Sequence, residues 1–185
     1  MKDVKLKSMK FKAVDDASAA FSFQGYLSTY GNTDRDGDVI DKGAFDTYVQ
    51  ANPTVPMLYG HDYNQVIGKL ALTIDDKGLV ATGSFNEEDP LAIKIEQLIK
   101  MGALTAMSVG MAVKDYEPFD KEQPFGGWEI KSAEVYEGSI VPVPANPEAQ
   151  IVSAKSADQV SQLSKQIAEM QLEIKRNQVL SHFKN

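Results

Sequence analysis

The sequence predicts an α+β fold that is mainly β, with an additional helix at the C-terminal end. Residues 66–85 contain two apolar runs separated by a short turn sequence, which is the pattern of a β-hairpin. Residues 104–117 and 128–143 are two longer strand candidates joined by a polar loop. Residues 89–102 give the best helical pattern of the main body. Strands therefore outnumber helices in the predicted fold.

Composition limits the kinds of function that are plausible. The chain has 185 residues and a mass of 20.3 kDa, which suits one compact domain plus an appendage. Its net charge of -7 argues against a nucleic-acid-binding surface. The absence of cysteine excludes disulfides, a cysteine nucleophile and a thiolate zinc site. With only two histidines, a His-rich metal site is not expected either, and we predict no metal and no cofactor.

Membrane association is not expected. No apolar run reaches the 18 or more residues that a spanning helix needs. The N-terminal residues 1–7 contain lysines but lack the continuous apolar core of a signal peptide. We therefore expect a cytosolic protein.

The N-terminal half contains short elements. Residues 4–14 and 21–27 have the apolar pattern of two strands. Asp41 is a candidate N-cap for a short helix that Asn52 and the following proline would end. Residues 55–61 then form a short apolar strand with a histidine at its end. Because scaffolds often carry their chemistry at strand ends and in loops, this histidine is of interest.

A loop at residues 31–38 is rich in aspartate and glycine and invites comparison with a calcium loop. Counted from Asp34, an EF-hand loop needs glycine at its sixth position and glutamate at its twelfth. This chain has Val39 and Phe45 there. We therefore expect a structural loop whose carboxylates bind its own backbone amides.

The helix at residues 89–102 has clear start and stop signals. Asp89 is a good N-cap, Pro90 suits the first helical position, and Gly102 suits the end. One face of the helix is apolar, formed by Leu91, Ile95, Leu98 and Ile99. We expect this helix to contribute packing instead of chemistry.

Ser108 lies within a run of small and apolar residues that suits a buried strand. Such a serine is either a core hydroxyl bonded to a nearby carbonyl or a nucleophile. A nucleophilic serine needs a histidine base and a group that orients the histidine. His61 is the only histidine outside the predicted C-terminal tail, although it could equally cap a strand end.

The third group depends on how the two long strands pair. If their hairpin is centred between Glu122 and Gln123, Ser108 lies directly opposite Glu137. Side chains opposite each other in an antiparallel pair have Cβ atoms about 4.5–5.5 Å apart. A third group over both could then contact each, although a shift of one residue would move the carboxylate to the other face.

The C-terminal region changes in composition after a proline-rich segment. Residues 153–159 are small and polar, which is typical of a linker. Beyond them an apolar stripe with steps of three and four residues predicts an amphipathic helix, formed by Val160, Leu163, Ile167, Met170 and Ile174. We therefore divide the chain into a domain at 1–152, a linker at 153–159 and a helical tail at 160–185.

Several motifs in this order resemble a known family. They are Asp36-Gly37-Asp38-Val39-Ile40, Gly43-Ala44-Phe45, His61, Ile67-Gly68, Ser108-Val109-Gly110 and the run from Glu137 through Pro142 to Pro147. Together these motifs resemble the prohead maturation proteases of tailed bacteriophages, which are similar in fold to the herpesvirus assembly proteases. The resemblance covers about residues 5–150.

The resemblance implies a closed antiparallel β-barrel ringed by a few helices, and a serine endopeptidase without a cofactor. Ser108 would be the nucleophile, His61 the general base and Glu137 the third member. Glu134 is the alternative, because this chain has Gly138 where the family usually has an apolar residue.

The same resemblance implies where the protein acts and on what. Such enzymes are packaged within the prohead in the host cytoplasm, where they remove scaffolding segments from the major capsid protein and digest themselves. The related herpesvirus enzymes imply a homodimer. Two competing readings are a non-catalytic β-barrel protein of the capsid or scaffold, and a small-molecule-binding barrel with the histidine and serine as polar anchors.

Overall fold

The computed structural model describes residues 21–118, 122 and 126–156, and within them it confirms a mainly β, α+β fold. Eight strands and two helices occur in these described ranges, in the order β1 Phe21–Thr29, β2 Val39–Ile40, α1 Asp46–Ala51, β3 Thr54–Tyr59, β4 Val66–Ile74, β5 Gly78–Phe85, α2 Pro90–Lys100, β6 Ala106–Pro118, β7 Trp128–Val141 and β8 Ile151–Ser156.

The strands belong to one sheet in which β7 has the most neighbours. β7 pairs antiparallel with β6 but parallel with both β2 and β3, so the expectation of an entirely antiparallel sheet is wrong. From β3 the order continues through β4, β5 and β1 to β8. A bridge between Ala106 and Gln150 brings the segment before β8 beside the start of β6. The amide of Ile151 reinforces this approach by donating to the Thr105 carbonyl at 2.8 Å.

The local sequence signals of the hairpin and the main helix are confirmed. β4 and β5 pair from Gly68 opposite Phe85 to Ile74 opposite Leu79. At the start of α2, the Asp89 side chain accepts a hydrogen bond from the Leu91 amide at 2.9 Å. The face of α2 that packs against the core includes the buried residues Ala92, Ile95 and Ile99.

The predicted cap of the first helix is wrong. α1 begins at Asp46, and its N-cap position is occupied by Phe45, whose side chain makes no capping hydrogen bond. Asp41 lies in the preceding turn, where its carboxylate pairs with Lys131 Nζ at 2.8 Å. The sequence could not separate these two positions for Asp41, because aspartate is favourable both at a helix N-cap and in a turn.

The aspartate-rich loop is a structural loop, as its sequence predicts. One Asp34 carboxylate oxygen accepts hydrogen bonds from the Asp36 amide at 2.9 Å and the Asp38 amide at 2.8 Å. The carboxylate is thus used to hold the loop's own backbone. In the part of the chain that the structure describes, no group of three or more His, Asp or Glu side chains could hold a metal ion.

The predicted linker is wrong in its first part. Residues 153–156 belong to β8, which pairs with β1 from Ile151 opposite Gly25 to Ser156 opposite Phe21. Val152, Ser153 and Ala154 are exposed, so the strand carries little apolar pattern. A short run of small polar residues in an edge strand therefore looks like a linker in sequence.

Two further predictions lie outside the described residues: the strand at 4–14 and the helical tail at 160–185. The division into linker and tail consequently stays a prediction only from residue 157 onward. Within the described ranges, neither helix has the length and apolar character needed to cross a membrane.

We expect the folded sheet to tolerate removal of the tail but not of β8. A chain ending at Ser156 retains all β1–β8 pairs and should melt within a few degrees of the full chain. A chain ending at Gln150 loses the six-residue β8 and exposes the β1 edge, so its melting temperature should fall clearly further. Thermal melts of both variants measure this difference. An unfolded Ser156-terminated chain would contradict the prediction.

Candidate active site

The pairing of β6 with β7 places Ser108 and Glu137 on one face of the sheet. The predicted register is wrong, because Ser108 pairs with Ser139 and Glu137 pairs with Gly110. The ladder begins with Pro118 opposite Trp128, one residue away from the predicted register, and three register shifts interrupt it. Since the error is two residues and side chains alternate with a period of two, Ser108 and Glu137 still share a face as diagonal neighbours.

A β-bulge in β7 decides which side chains reach this face. Between the pairs formed by Gly110 and Met111, β7 contains one extra residue, Tyr136. The extra residue changes the phase of the strand, so that Val135 and Ile140 both belong to the core while Glu137 lies on the opposite face. Without the bulge, strict alternation from Val135 would direct the Glu137 carboxylate into the apolar core.

The glycine at position 138 is required by close packing on the core-facing side of β7. A Cβ atom at this position would overlap with the side chains of Leu70 and Leu27, which are both fully buried. Glycine therefore lets β7 pack closely against the core at the point where its other face carries Glu137. The glycine that departs from the family pattern thus has a packing role on the face opposite Glu137.

His61 is brought over this face by a tight turn at the end of β3. Gly60 and His61 have positive φ values of 65° and 60°, and the Asp62 amide donates to the Tyr59 carbonyl at 3.3 Å. Two positive φ values at the centre of a turn are the pattern of a type I′ turn. Asp62 holds the rest of the loop by accepting hydrogen bonds from Asn64 and Gln65, and those from Asn64 lower its pKa most.

The His61 ring contacts the Glu137 carboxylate directly. His61 Nδ1 lies 2.6 Å from Glu137 Oε1, slightly shorter than the usual length of about 2.7–2.9 Å for a charge-assisted N–H to carboxylate hydrogen bond. The Glu137 side chain is 1% exposed, whereas that of His61 is 41% exposed. A carboxylate is an acceptor, so Nδ1 carries the proton and Nε2 is left free to act as a base.

The environment raises the pKa of His61 above its ordinary value of 6.5. The hydrogen bond with Glu137 is the largest cause, partial burial of the ring opposes it, and the charge of Glu137 adds to it. The paired carboxylate therefore favours the protonated imidazole, which is the species formed when a histidine acts as a general base.

Ser139 is a member of this site that sequence reasoning missed. Its hydroxyl donates to Glu137 Oε2 at 2.8 Å and accepts from the His61 backbone amide at 3.0 Å. The spacing of Glu137 and Ser139 could have indicated this, because residues two apart on a strand have side chains on the same face.

Ser108 lies beside this group, on the neighbouring strand. It is 6% exposed and directly opposite Ser139 in the ladder. Two residues further along β6, Gly110 leaves room for the carboxylate, because a Cβ atom there would overlap with Glu137 Oε1. Among the hydrogen bonds of the described residues, His61 is joined to Glu137 and Ser139 but not to Ser108. Catalytic hydrogen bonds are often longer before substrate binds.

Glu134, the alternative acid, is placed elsewhere. Its partly exposed carboxylate pairs with Lys114 Nζ at 2.9 Å and accepts a hydrogen bond from the Tyr136 hydroxyl at 3.3 Å. The hydrogen bond from Lys114 is the largest cause of its lowered pKa. Its contacts are thus with surface groups and not with His61.

Comparison with known proteins identifies the family. Residues 7–163 match the family described as caudovirus prohead serine protease. The chain belongs to this family. Among curated members, the prohead protease of Enterobacteria phage HK97 is 34% identical over 142 residues, covering 74% of this chain and 61% of that protein. The prohead protease of Escherichia phage T5 is 34% identical over 154 residues, covering 78% and 69% respectively.

This member of the caudovirus prohead serine protease family also resembles a larger protein. The capsid polyprotein of Pseudomonas phage PAJU2 is 31% identical over 161 residues, which are 82% of this chain but 22% of the polyprotein. A crystal structure of the KSHV protease aligns with a TM-score of 0.48 and 12% identity, covering 76% of this chain and 68% of that protein. The match of residues 7–163 to the family confirms the resemblance to prohead proteases noted in the sequence.

Proposed function

We propose that the chain is a serine endopeptidase in which Ser108 is the nucleophile, His61 the general base and Glu137 the group that orients His61. The contact between buried Glu137 and His61 Nδ1, on the face that carries Ser108, is the observation that supports this assignment most strongly. A carboxylate on one imidazole nitrogen leaves the other nitrogen free for a serine hydroxyl.

The reaction follows from these positions. His61 Nε2 removes the Ser108 proton as Oγ attacks the peptide carbonyl, and a tetrahedral intermediate forms. The imidazolium then returns the proton to the leaving amine as the C–N bond breaks, which leaves an acyl-enzyme. Water, activated by the same imidazole, hydrolyses the ester and regenerates Ser108. Glu137 stabilises the imidazolium in both halves without itself bonding to substrate.

Ser139 is a less suitable nucleophile than Ser108. It is fully buried, its proton is directed to Glu137, and its oxygen accepts the His61 amide. All of these contacts lie on the backbone and Nδ1 side of His61, whereas a base is needed at Nε2. Ser108 makes none of these competing contacts and is slightly more exposed.

The proposed substrates are the scaffolding segment of the major capsid protein and the protease itself, within the prohead in the host cytoplasm. The family description names a prohead protease, and a related protein is a capsid polyprotein. These names support a protease that acts next to its capsid substrate. Self-cleavage in the expected segment 153–159 is disfavoured within residues 153–156, because these residues pair with β1 and a protease needs unpaired backbone.

We also propose that the sheet closes into a barrel. The bridge between Ala106 and Gln150, together with the hydrogen bond from the Met107 amide to the Ala149 carbonyl at 2.9 Å, supports closure between β6 and the β8 end of the sheet. The homodimer that the family resemblance implies is a separate part of the proposal, and sedimentation can measure it.

The proposal is tested by incubating the chain with a fluorophosphonate and mapping the modified residue by mass spectrometry. The Ser108 oxygen should displace fluoride at phosphorus, with the proton passing to His61. In parallel, the chain is co-expressed with the capsid protein of its own phage, and removal of the scaffolding segment is read on gels. Labelling at Ser108 together with removal of the segment is the expected result.

If the folded protein shows neither labelling nor capsid cleavage, the result would support a non-catalytic capsid or scaffold-associated protein instead. Labelling at Ser139 would transfer the nucleophile to that residue. Labelling of Ser108 without capsid cleavage would retain the serine hydrolase and overturn the proposed substrate.

A further inference from the structure

We propose that Ser139 is a positioning residue that holds the Glu137 carboxylate and the His61 backbone in a fixed relation to each other. The inference rests on the proposed function, because it assigns a role to Ser139 in activating the base for Ser108.

The hydroxyl of Ser139 acts both as a hydrogen-bond donor and as an acceptor. It donates its proton to Glu137 Oε2 at 2.8 Å and accepts the His61 amide at 3.0 Å. Since Glu137 Oε1 is bonded to His61 Nδ1, both carboxylate oxygens are held, one by the imidazole and the other by Ser139. The three residues form a closed ring of hydrogen bonds in which the carboxylate has little freedom to rotate.

The backbone of His61 needs such an anchor. A non-glycine residue at φ 60° is strained and persists only when its surroundings fix it. The Gly60 amide gives one anchor by donating to the Ile140 carbonyl at 3.0 Å, and the His61 amide gives the second through Ser139. Both anchors are adjacent residues of β7, so the turn is attached to the same strand that carries Glu137.

Among the residues that the structure describes, few other charged groups lie where they could act on His61. From β7, Glu137 contacts the ring, while Glu134 is paired with Lys114 of β6. In the turn itself, Asp62 is engaged by Asn64 and Gln65. The β6 residues on the shared face, Ser108 and Gly110, carry no charge. A change in the titration of His61 in a Ser139 variant would therefore reflect its contact with Glu137.

Ser139 is fully buried behind His61 and Glu137, so it is not placed to touch a substrate. Its loss should lower kcat and leave KM nearly unchanged. By analogy with residues that orient metal ligands, we expect a Ser139→Ala variant to lose roughly 10- to 100-fold in kcat. A weaker contact with Glu137 should also move the acidic limb of the pH–rate profile downward, toward the ordinary histidine pKa of 6.5.

The experiment compares Ser139→Ala with Ser28→Ala, a change at a similarly buried serine of β1 that pairs with β5 and takes no part in the hydrogen bonds joining His61, Glu137 and Ser139. A second pair, Ser139→Thr and Ser139→Val, separates the hydroxyl from its volume, because the two side chains have nearly the same shape. Each variant is melted to verify folding. Cleavage of a capsid-derived peptide then gives kcat and KM, and fluorophosphonate labelling of Ser108 is measured across pH.

Activity close to wild type in Ser139→Thr with a strong loss in Ser139→Val and Ser139→Ala is the expected pattern, with Ser28→Ala unaffected. If the Thr and Val variants do not fold, the kcat of Ser139→Ala and the acidic limb of its pH–rate profile test the positioning role. Unchanged values, or a limb moved to higher pH, would overturn the positioning role. Wild-type protein that fails to label at Ser108 would overturn the proposed function itself, so the two failures are distinguishable.

Discussion

A Ser108→Ala variant is expected to stay folded and to lose roughly 10⁴–10⁶-fold in the turnover of capsid substrate. The loss is large because no acyl-enzyme can form without the Ser108 oxygen. Stability should barely change, since a single hydroxyl contributes only about 1 kcal/mol. Ser108 also makes none of the hydrogen bonds that hold the turn of His61 to β7.

Replacement of His61 should cost a similar factor, and the double variant should lose little more, because the two residues act as a unit. The choice of substitution matters. At φ 60° an alanine is strained, whereas asparagine tolerates this backbone conformation well. His61→Asn is therefore the better matched change, with His61→Ala as its companion.

The measurement is removal of the scaffolding segment from the capsid protein, followed on gels over several decades of enzyme concentration. Ser28→Ala serves as the control for a buried serine away from the site. Cleavage at the wild-type rate by a folded Ser108→Ala protein would exclude the proposed mechanism. Losses that multiply in the double variant would show that Ser108 and His61 act independently.

Local signals in the sequence were sufficient for the elements whose structure is decided locally. The hairpin of β4 and β5 and the cap of α2 depend on residues close to each other in the chain, and both are confirmed. Residue chemistry and family resemblance also selected Ser108, His61 and Glu137; the structure brings His61 and Glu137 into contact and places Ser108 on the same face, while their catalytic roles stay predictions. These predictions needed only the identity of each residue and its approximate element.

The parts that were missed depend on contacts between distant segments. The β6–β7 register is set by the bulge at Tyr136 and by packing of Gly138 against Leu70, which no local pattern reveals. Ser139 contacts His61 only because the turn at His61 brings the His61 amide to its hydroxyl. In the same way, residues 153–156 form a strand because β1 offers them an edge. Tertiary context decided each of these cases.

The largest effect expected among the orienting groups is that of Glu137→Gln. Glutamine has almost the same shape, but its amide can donate a proton to His61 Nδ1, which would place the remaining imidazole proton on Nε2. In that tautomer Nε2 cannot accept the Ser108 proton, so turnover should fall by about 10³–10⁴-fold. Some activity should persist, because the nucleophile and the imidazole are still present.

The pH dependence gives this prediction a second, independent readout. Since Glu137 raises the pKa of His61, the acidic limb of wild-type activity should lie above pH 6.5 and move down in Glu137→Gln. The same pair stabilises the fold when the imidazole is protonated. That stabilisation is fully present below about pH 6.5 and is lost as the pH rises through the raised pKa, so the variant should be destabilised mainly at low pH.

The matched control is Glu134→Gln, which changes an acid three residues away on the same strand. Its carboxylate pairs with Lys114 at the surface, so activity and the acidic limb should both stay close to wild type. Rates of peptide cleavage and thermal melts across pH 5–8 measure all of these effects. A normal rate in Glu137→Gln together with an inactive Glu134→Gln would transfer the orienting role to Glu134, and it would mean that the 2.6 Å contact between His61 and Glu137 has no part in catalysis.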